Sequence, residues 1–355
     1  MRIVKRFRTL LMLSLCSIAT VSVINCGGGS GNTSAETGAT SVNPSAIAID
    51  ASGNIWVANQ GGNAVTETDP SGTLLGTFTV GNNPSAIAID ASGNVWVANQ
   101  GNANNVGNTV TQLKPDGSKF GTFTVGNSPS GIAIDTSGNV WVTNHGGFGT
   151  TALGNTVTEL NPSGTVINTF TVGLGPVGIA IDASGHVWVA NQGSANAPGN
   201  TVTELDSSGK LLNTFTVGLQ PQIIRIDASG NVWVTNTGND TTPGNTVMEL
   251  SSSGTLINTF TVGSEPVGLA IDSAGNVWVT NFGSIAAPGT TVTELDPTKT
   301  VPPSTFQTGN NPGDVAIDSS GNVLVVNLGS NNAAVLAGAT AKGPEFFPYT
   351  GPIWP

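Results

Sequence analysis

One phrase, NPSAIAIDASGNVWVANQ from Asn83 to Gln100, returns in seven variants between Pro44 and the C-terminus. Its aspartate falls at Asp50, Asp90, Asp135, Asp182, Asp227, Asp272 and Asp318, at intervals of 40 to 47 residues. Each unit breaks into four strand-like runs. In the second they are Ala86–Asp90 (A), Asn94–Asn99 (B), Asn108–Leu113 (C) and Phe120–Val125 (D). All are rich in Val, Ile, Thr, Phe or Trp, with Gly, Asn, Pro or Ser between them, as strands and hairpin turns require. No segment after residue 26 has the apolar spacing of an amphipathic helix.

Strands A and B are apolar on both faces. Val95 and its counterparts sit beside tryptophan at Trp56, Trp96, Trp141, Trp188, Trp233 and Trp278, with Leu324 in the seventh unit. An open sheet normally shows one polar face, whereas sheets stacked radially bury both. Period, strand count and doubly apolar strands together predict an all-β fold, a seven-bladed β-propeller of four-stranded antiparallel blades. The tryptophans then pack blade on blade. The turn Asp-Ala-Ser-Gly-Asn between A and B reads as a backbone device. The Asp side chain accepts N–H groups two residues on and Gly supplies positive φ; the alternating acidic ligands of a calcium loop are missing.

Six units end in a strand D phenylalanine, Phe78, Phe123, Phe170, Phe215, Phe260 and Phe306. The seventh degenerates. Laid over the first unit, Val335–Gly351 falls on Val65–Gly81 and places Phe346, Phe347 and Tyr349 where strand D should run. The rival source for that strand is the N-terminal stretch Thr33–Val42, which offers few β-formers.

The N-terminus reads as a targeting segment. Arg2, Lys5, Arg6 and Arg8 precede an apolar run from Leu10 to about Ile24, too short for a comfortable span. The sequence Val-Ile-Asn-Cys-Gly that follows resembles a bacterial lipobox, with Asn25 in place of the usual small residue. The resemblance implies a signal peptide over 1–25, a lipidated Cys26, a flexible Gly/Ser/Thr tether over 26–42 and one propeller over 43–355. An ordinary signal peptide cut a few residues away is the alternative. With Cys16 discarded, Cys26 stands alone, so the folded part has no internal disulfide, thiolate metal cluster or cysteine-based dyad.

Losing four basic residues with the leader takes the formal charge from −11 to about −15. The remaining basic residues, Lys114, Lys119, Lys210, Arg225, Lys299 and Lys342, form no cluster. Charge therefore disfavours nucleic acid or an anionic membrane surface as a partner. Only 9% of residues are charged, and about 330 residues suit one large propeller with no second domain.

The repeat P-x-x-I-A-I-D-x-x-G-N-V-W-V-A-N…N-T-V-T-E-L, across residues 43 to 351, resembles the NHL-repeat propellers and, more closely, the streptogramin B (virginiamycin B) lyase-like propellers. The resemblance implies the fold firmly and the activity weakly, because propellers carry unrelated functions. For an enzyme it implies a magnesium-dependent elimination lyase with catalytic histidine and glutamate on one face.

The chain has two histidines. His145 follows strand B and belongs to the rim of the D–A and B–C connections. His186 occupies an A–B turn on the opposite rim, roughly 13–17 Å away at about 3.3 Å per strand residue, so the two cannot share a reacting atom. On the first rim the frame Asn-x-Gly repeats at Asn59, Asn99, Asn144, Asn191, Asn236, Asn281 and Asn327. The invariant Asn reads as a loop brace. The middle residue varies through Gln60, Gln100, His145, Gln192, Thr237, Phe282 and Leu328, and is where a recognition surface can be written.

Two further residues break the symmetry. Arg225 stands where other strands A carry Ala48, Ala88, Ala133, Ala180, Ala270 and Ala316, and Glu265 precedes Pro266 in the next D–A loop. They either orient an anionic or polar ligand or serve structure alone, as an ion pair or with Arg225 on channel carbonyls. The expected function is a monomeric, lipid-anchored recognition or scaffold propeller on the bacterial envelope, at the outer membrane on its periplasmic or surface side. Membrane contact is through the anchor only, and no metal or cofactor is expected. Its partner is a protein, a glycan or a polar small ligand, met by Arg225, His145, Gln60, Gln100, Gln192 and Glu265. The alternatives are a carbon–oxygen lyase or lactone hydrolase on the same rim, with His145 as base near Glu265 and magnesium as cofactor, or a purely structural envelope component.

Overall fold

A computed structural model describes residues 43–147, 153–194, 197–239, 242–284, 287–336 and 347–348. The leader, Cys26 and the tether lie outside them, as do Phe346 and Tyr349. The described residues form seven four-stranded antiparallel sheets, each a meander of consecutive strands, with no helix among them. Strand A is innermost: Pro44–Ile49, Pro84–Ile89, Pro129–Ile134, Pro176–Ile181, Pro221–Ile226, Pro266–Ile271 and Pro312–Ile317 follow one another around a central channel, and the last meets the first. The seventh sheet takes its fourth strand from the C-terminal tail. There Phe347–Pro348 pairs with Val335 and Ala334.

The tryptophan column makes the interfaces. Trp56 packs on Val95, Val97 and Leu113 of the second blade, and Trp188 packs on Val232, Val234 and Leu250 of the fifth. The pattern advances around the ring until Leu324 meets Ile47 and Ile55 of the first blade. Within its own blade each tryptophan also lies against the strand D phenylalanine, with ring centroids 5.3–5.8 Å apart. Buried indole N–H groups need an acceptor, and the A–B turn supplies it. Asp50 Oδ1 accepts Ser52 N–H and Asn54 N–H at 2.8 and 2.9 Å while Oδ2 accepts Trp56 Nε1–H at 3.1 Å. The same trio recurs at Asp90, Asp135, Asp182 and Asp227. Aspartate and tryptophan thus travel together in the repeat for a reason beyond the turn itself.

The invariant asparagine is a brace, as its constancy suggests. Asn99, buried, donates to Thr109 Oγ1 and Thr111 Oγ1 of strand C and accepts Gly81 N–H of the preceding loop at 2.9 Å. A Cβ on Gly81 would stand 2.4 Å from Asn99 Cγ, so that loop position admits only glycine. Blades two to six extend the B–C hairpin through facing glycines. In blade two Gly101 has φ +74° and a Cβ there would meet Gly107 N at 1.9 Å.

Candidate functional site

The residue before each strand A proline has positive φ, from Asn43 through Asn83, Ser128, Gly175, Gln220 and Glu265 to Asn311. Its carbonyl accepts the N–H of the variable residue of Asn-x-Gly in all seven blades, at 2.9–3.2 Å. That bond tucks the variable side chain beneath the loop. Gln60, Gln100, His145, Gln192, Thr237 and Phe282 are all buried, and the column is packed inward where the sequence suggested a displayed ring. Glu265 is buried in the same way. Its carbonyl holds Phe282 N–H and its N–H donates to Gly244 O.

Strand A runs away from this rim, and its first half encloses a cavity of about 130 Å³ to which all seven blades contribute. Gln100, His145 and Gln192 reach it from the rim and Arg225 from strand A; Gln60 and Glu265 are not in its lining. The channel therefore gathers four of the six ligand-binding residues expected from sequence, and adds Gln222 and Asp314, which the sequence reading missed. Gln192 Nε2–H donates to Gln222 Oε1 across the fourth and fifth blades.

Register explains why these positions matter. Arg225 pairs opposite Trp233, as Ala48 does opposite Trp56. Small residues there leave room for seven strands to converge. Two residues earlier the column reads Ala46, Ala86, Gly131, Gly178, Ile223, Gly268 and Asp314. It is tighter still: a Cβ on Gly131 would lie 2.3 Å from Val177 O of the next blade. Asp314 takes this crowded place at the junction of the seventh and first blades. Its Oδ2 accepts Ile47 N–H at 3.2 Å and its Oδ1 accepts Val315 N–H at 2.9 Å.

Two opposite charges thus share one channel. Arg225 Nη1–H donates to Ile224 O at 3.0 Å. Arg225 and Asp314 form no direct salt bridge, although the field of Arg225 acts on the Asp314 carboxyl. Burial raises that carboxyl above the usual aspartate range, against the opposing pull of Arg225 and of the Val315 and Ile47 N–H groups. Asp314 keeps some surface, but it faces the lumen walled by the other blades. Burial also lowers the pKa of His145 to about 4, so its imidazole is neutral at pH 7.

His186 lies away from all this. Its Nδ1 stands 3.0 Å from Glu204 Oε1 and 3.6 Å from Asp182 Oδ2, with its side chain a third exposed. It takes the place of asparagines such as Asn54, which donates to Glu67 Oε1. Among the described residues no group of three or more His, Cys, Asp or Glu converges to hold a metal.

The fold and channel together define a seven-bladed propeller with a chemically marked lumen. No family model matches the sequence, and no curated protein matches it. Solved structures do. A chain of Kuenenia stuttgartiensis hydrazine synthase aligns at 19% identity over 88% of this chain and 100% of that one, with a TM-score of 0.73. Selenomethionine-substituted virginiamycin B lyase from Staphylococcus aureus aligns at 15% identity over 81% and 92%, TM-score 0.67. A functionally unknown protein from Desulfotomaculum acetoxidans aligns at 16% identity over 84% and 95%, TM-score 0.66. At these identities the likeness is one of fold. It agrees with the streptogramin lyase-like resemblance of the repeats at that level, and chemistry must be argued from the site.

Proposed function

We propose that this chain is an exported, lipid-anchored binding propeller that holds a small polar ligand in the rim-side half of its channel. The observation that carries the reading is that charge enters the inner-strand columns only at Arg225 and Asp314, and both side chains line one cavity. Half-burying a charge with no ionic partner is costly, and the alanines and glycines of the other blades show that the ring closes without it. At about 130 Å³ the cavity falls below the ~300–1,000 Å³ of drug-sized sites, which favours a small solute over a peptide or a glycan chain. The lyase alternative needs His145 and Glu265 together, and Glu265 is outside the lining that holds His145.

The test is a panel of small carboxylates, amines, amino acids and sugars screened by thermal unfolding. At least one solute should raise the midpoint, because a ligand that binds only the native state stabilises it. Arg225→Ala should erase the rise. The reading fails if no solute acts, or if the variant responds as the parent does.

Export and anchoring rest on the leader and on Cys26. Palmitate fed to expressing cells should label the parent, and Cys26→Ser should lose both the label and membrane association. A parent that takes up no label would exclude the anchor.

A further inference from the structure

We infer that the channel takes a small zwitterionic amino acid, with its carboxylate on Arg225 and its ammonium on Asp314. The inference rests on the channel being the ligand site proposed above and names the class of ligand. The two charged residues stand on the fifth and seventh blades, face one lumen and make no direct salt bridge with each other. Among the described residues Arg225 has one protein acceptor, Ile224 O, leaving most of its donor fork for a carboxylate. Asp314 is held by two backbone N–H groups, which aim its carboxylate without neutralising it.

A ligand with one charge pairs with one pole and leaves the other half-buried with no direct ionic partner. A zwitterion satisfies both. A third polar group points the same way. Gln100 is 2% exposed, lines the cavity, and its Oε1 has no hydrogen-bond partner in the protein. Buried amides are rarely left so, and a ligand N–H would complete it. At about 130 Å³ the cavity falls below the ~300–1,000 Å³ of drug-sized sites, which favours the smallest amino acids, glycine and alanine.

Both charges replace residues that the other blades show to be compatible with the fold. Arg225→Ala restores the residue of six other strands, and Asp314→Ala restores that of Ala46 and Ala86. These variants should fold, and Arg225→Ala, which removes a half-buried charge, should raise the melting midpoint in the absence of ligand. Asp314→Asn keeps an oxygen for Ile47 N–H while removing the charge, which separates binding from closure of the ring.

The experiment is calorimetric titration of the detergent-purified full chain with glycine, alanine, phenylalanine, acetate and methylammonium. Glycine or alanine should bind at least tenfold more tightly than acetate, methylammonium or phenylalanine. Arg225→Ala and Asp314→Asn should each weaken that binding about 100-fold or more. Acetate binding as tightly as glycine, with Asp314→Asn unaffected, would make the site one for anions and overturn the inference. Equal affinity for phenylalanine would place binding outside the cavity and overturn it too. If some other polar solute protects the parent but no amino acid binds, the ligand class is wrong and the channel reading survives. If nothing binds, both fall.

Discussion

Trp188→Ala is expected to destabilise the protein by about 3–5 kcal/mol, the usual cost of emptying a large aromatic site in a packed core. Trp188 is fully buried, packs on the fifth blade and stacks on Phe215 at 5.5 Å. Its truncation also strips Asp182 Oδ2 of the indole N–H it accepts at 3.1 Å. The ring cannot close over the gap, because each blade is held on both sides by a neighbour. Trp188→Leu should cost less, since Leu324 fills the same column between the seventh and first blades. Urea unfolding of parent and variants measures both values. A cost below about 1 kcal/mol for the alanine variant would show that the tryptophans do not carry the interfaces.

The second large effect is the pH dependence of stability that His145 contributes. His145 is held neutral by burial, with a pKa of about 4 against about 6.5 when unfolded. The unfolded chain therefore binds the proton more readily between those values. Stability contributed by the neutral ring is complete above about pH 6.5 and is lost as pH falls toward 4. At 1.36 kcal/mol per pH unit the loss reaches about 3 kcal/mol. Glu67, Glu159, Glu249, Glu294 and Asp314 work in the other direction, because burial raises their pKa values and stability is gained as they protonate. The residue is isolated by comparison with His145→Gln, which installs the side chain of Gln100 and Gln192 in that column. The stability difference between parent and variant should slope through pH 4–6.5. A flat difference would mean that the folded imidazole titrates like a free one.

Repetition made the architecture legible. A motif seen seven times fixes blade number, strand order and the tryptophan column, because each property must hold for every copy at once. The channel was legible only in part. Arg225 was visible against a column of alanines. Asp314 stood against a column mixing alanine, glycine and Ile223, and that less uniform background concealed it. Comparing that column by size and charge would have found it. The inward turn of Gln100, His145 and Gln192 was not legible, because it depends on a backbone bond to the pre-proline carbonyl of a loop seventeen residues earlier in chain order. Period shows that a residue recurs at a rim; it does not show which way that residue faces.

The union of the last blade with the first differs from the other six. Six interfaces join neighbours in sequence, roughly one repeat apart. The seventh joins partners such as Asn43 and Asn331, separated by 288 positions. On the logarithmic scale of chain closure that span costs about 1.6 kcal/mol more entropy than a span of one repeat. This join also has Leu324 where the others have tryptophan. It is therefore expected to be the last part of the wheel to assemble and the first to part. Because Asp314 belongs both to this join and to the channel, a ligand bound to Asp314 is expected to hold the wheel closed as well.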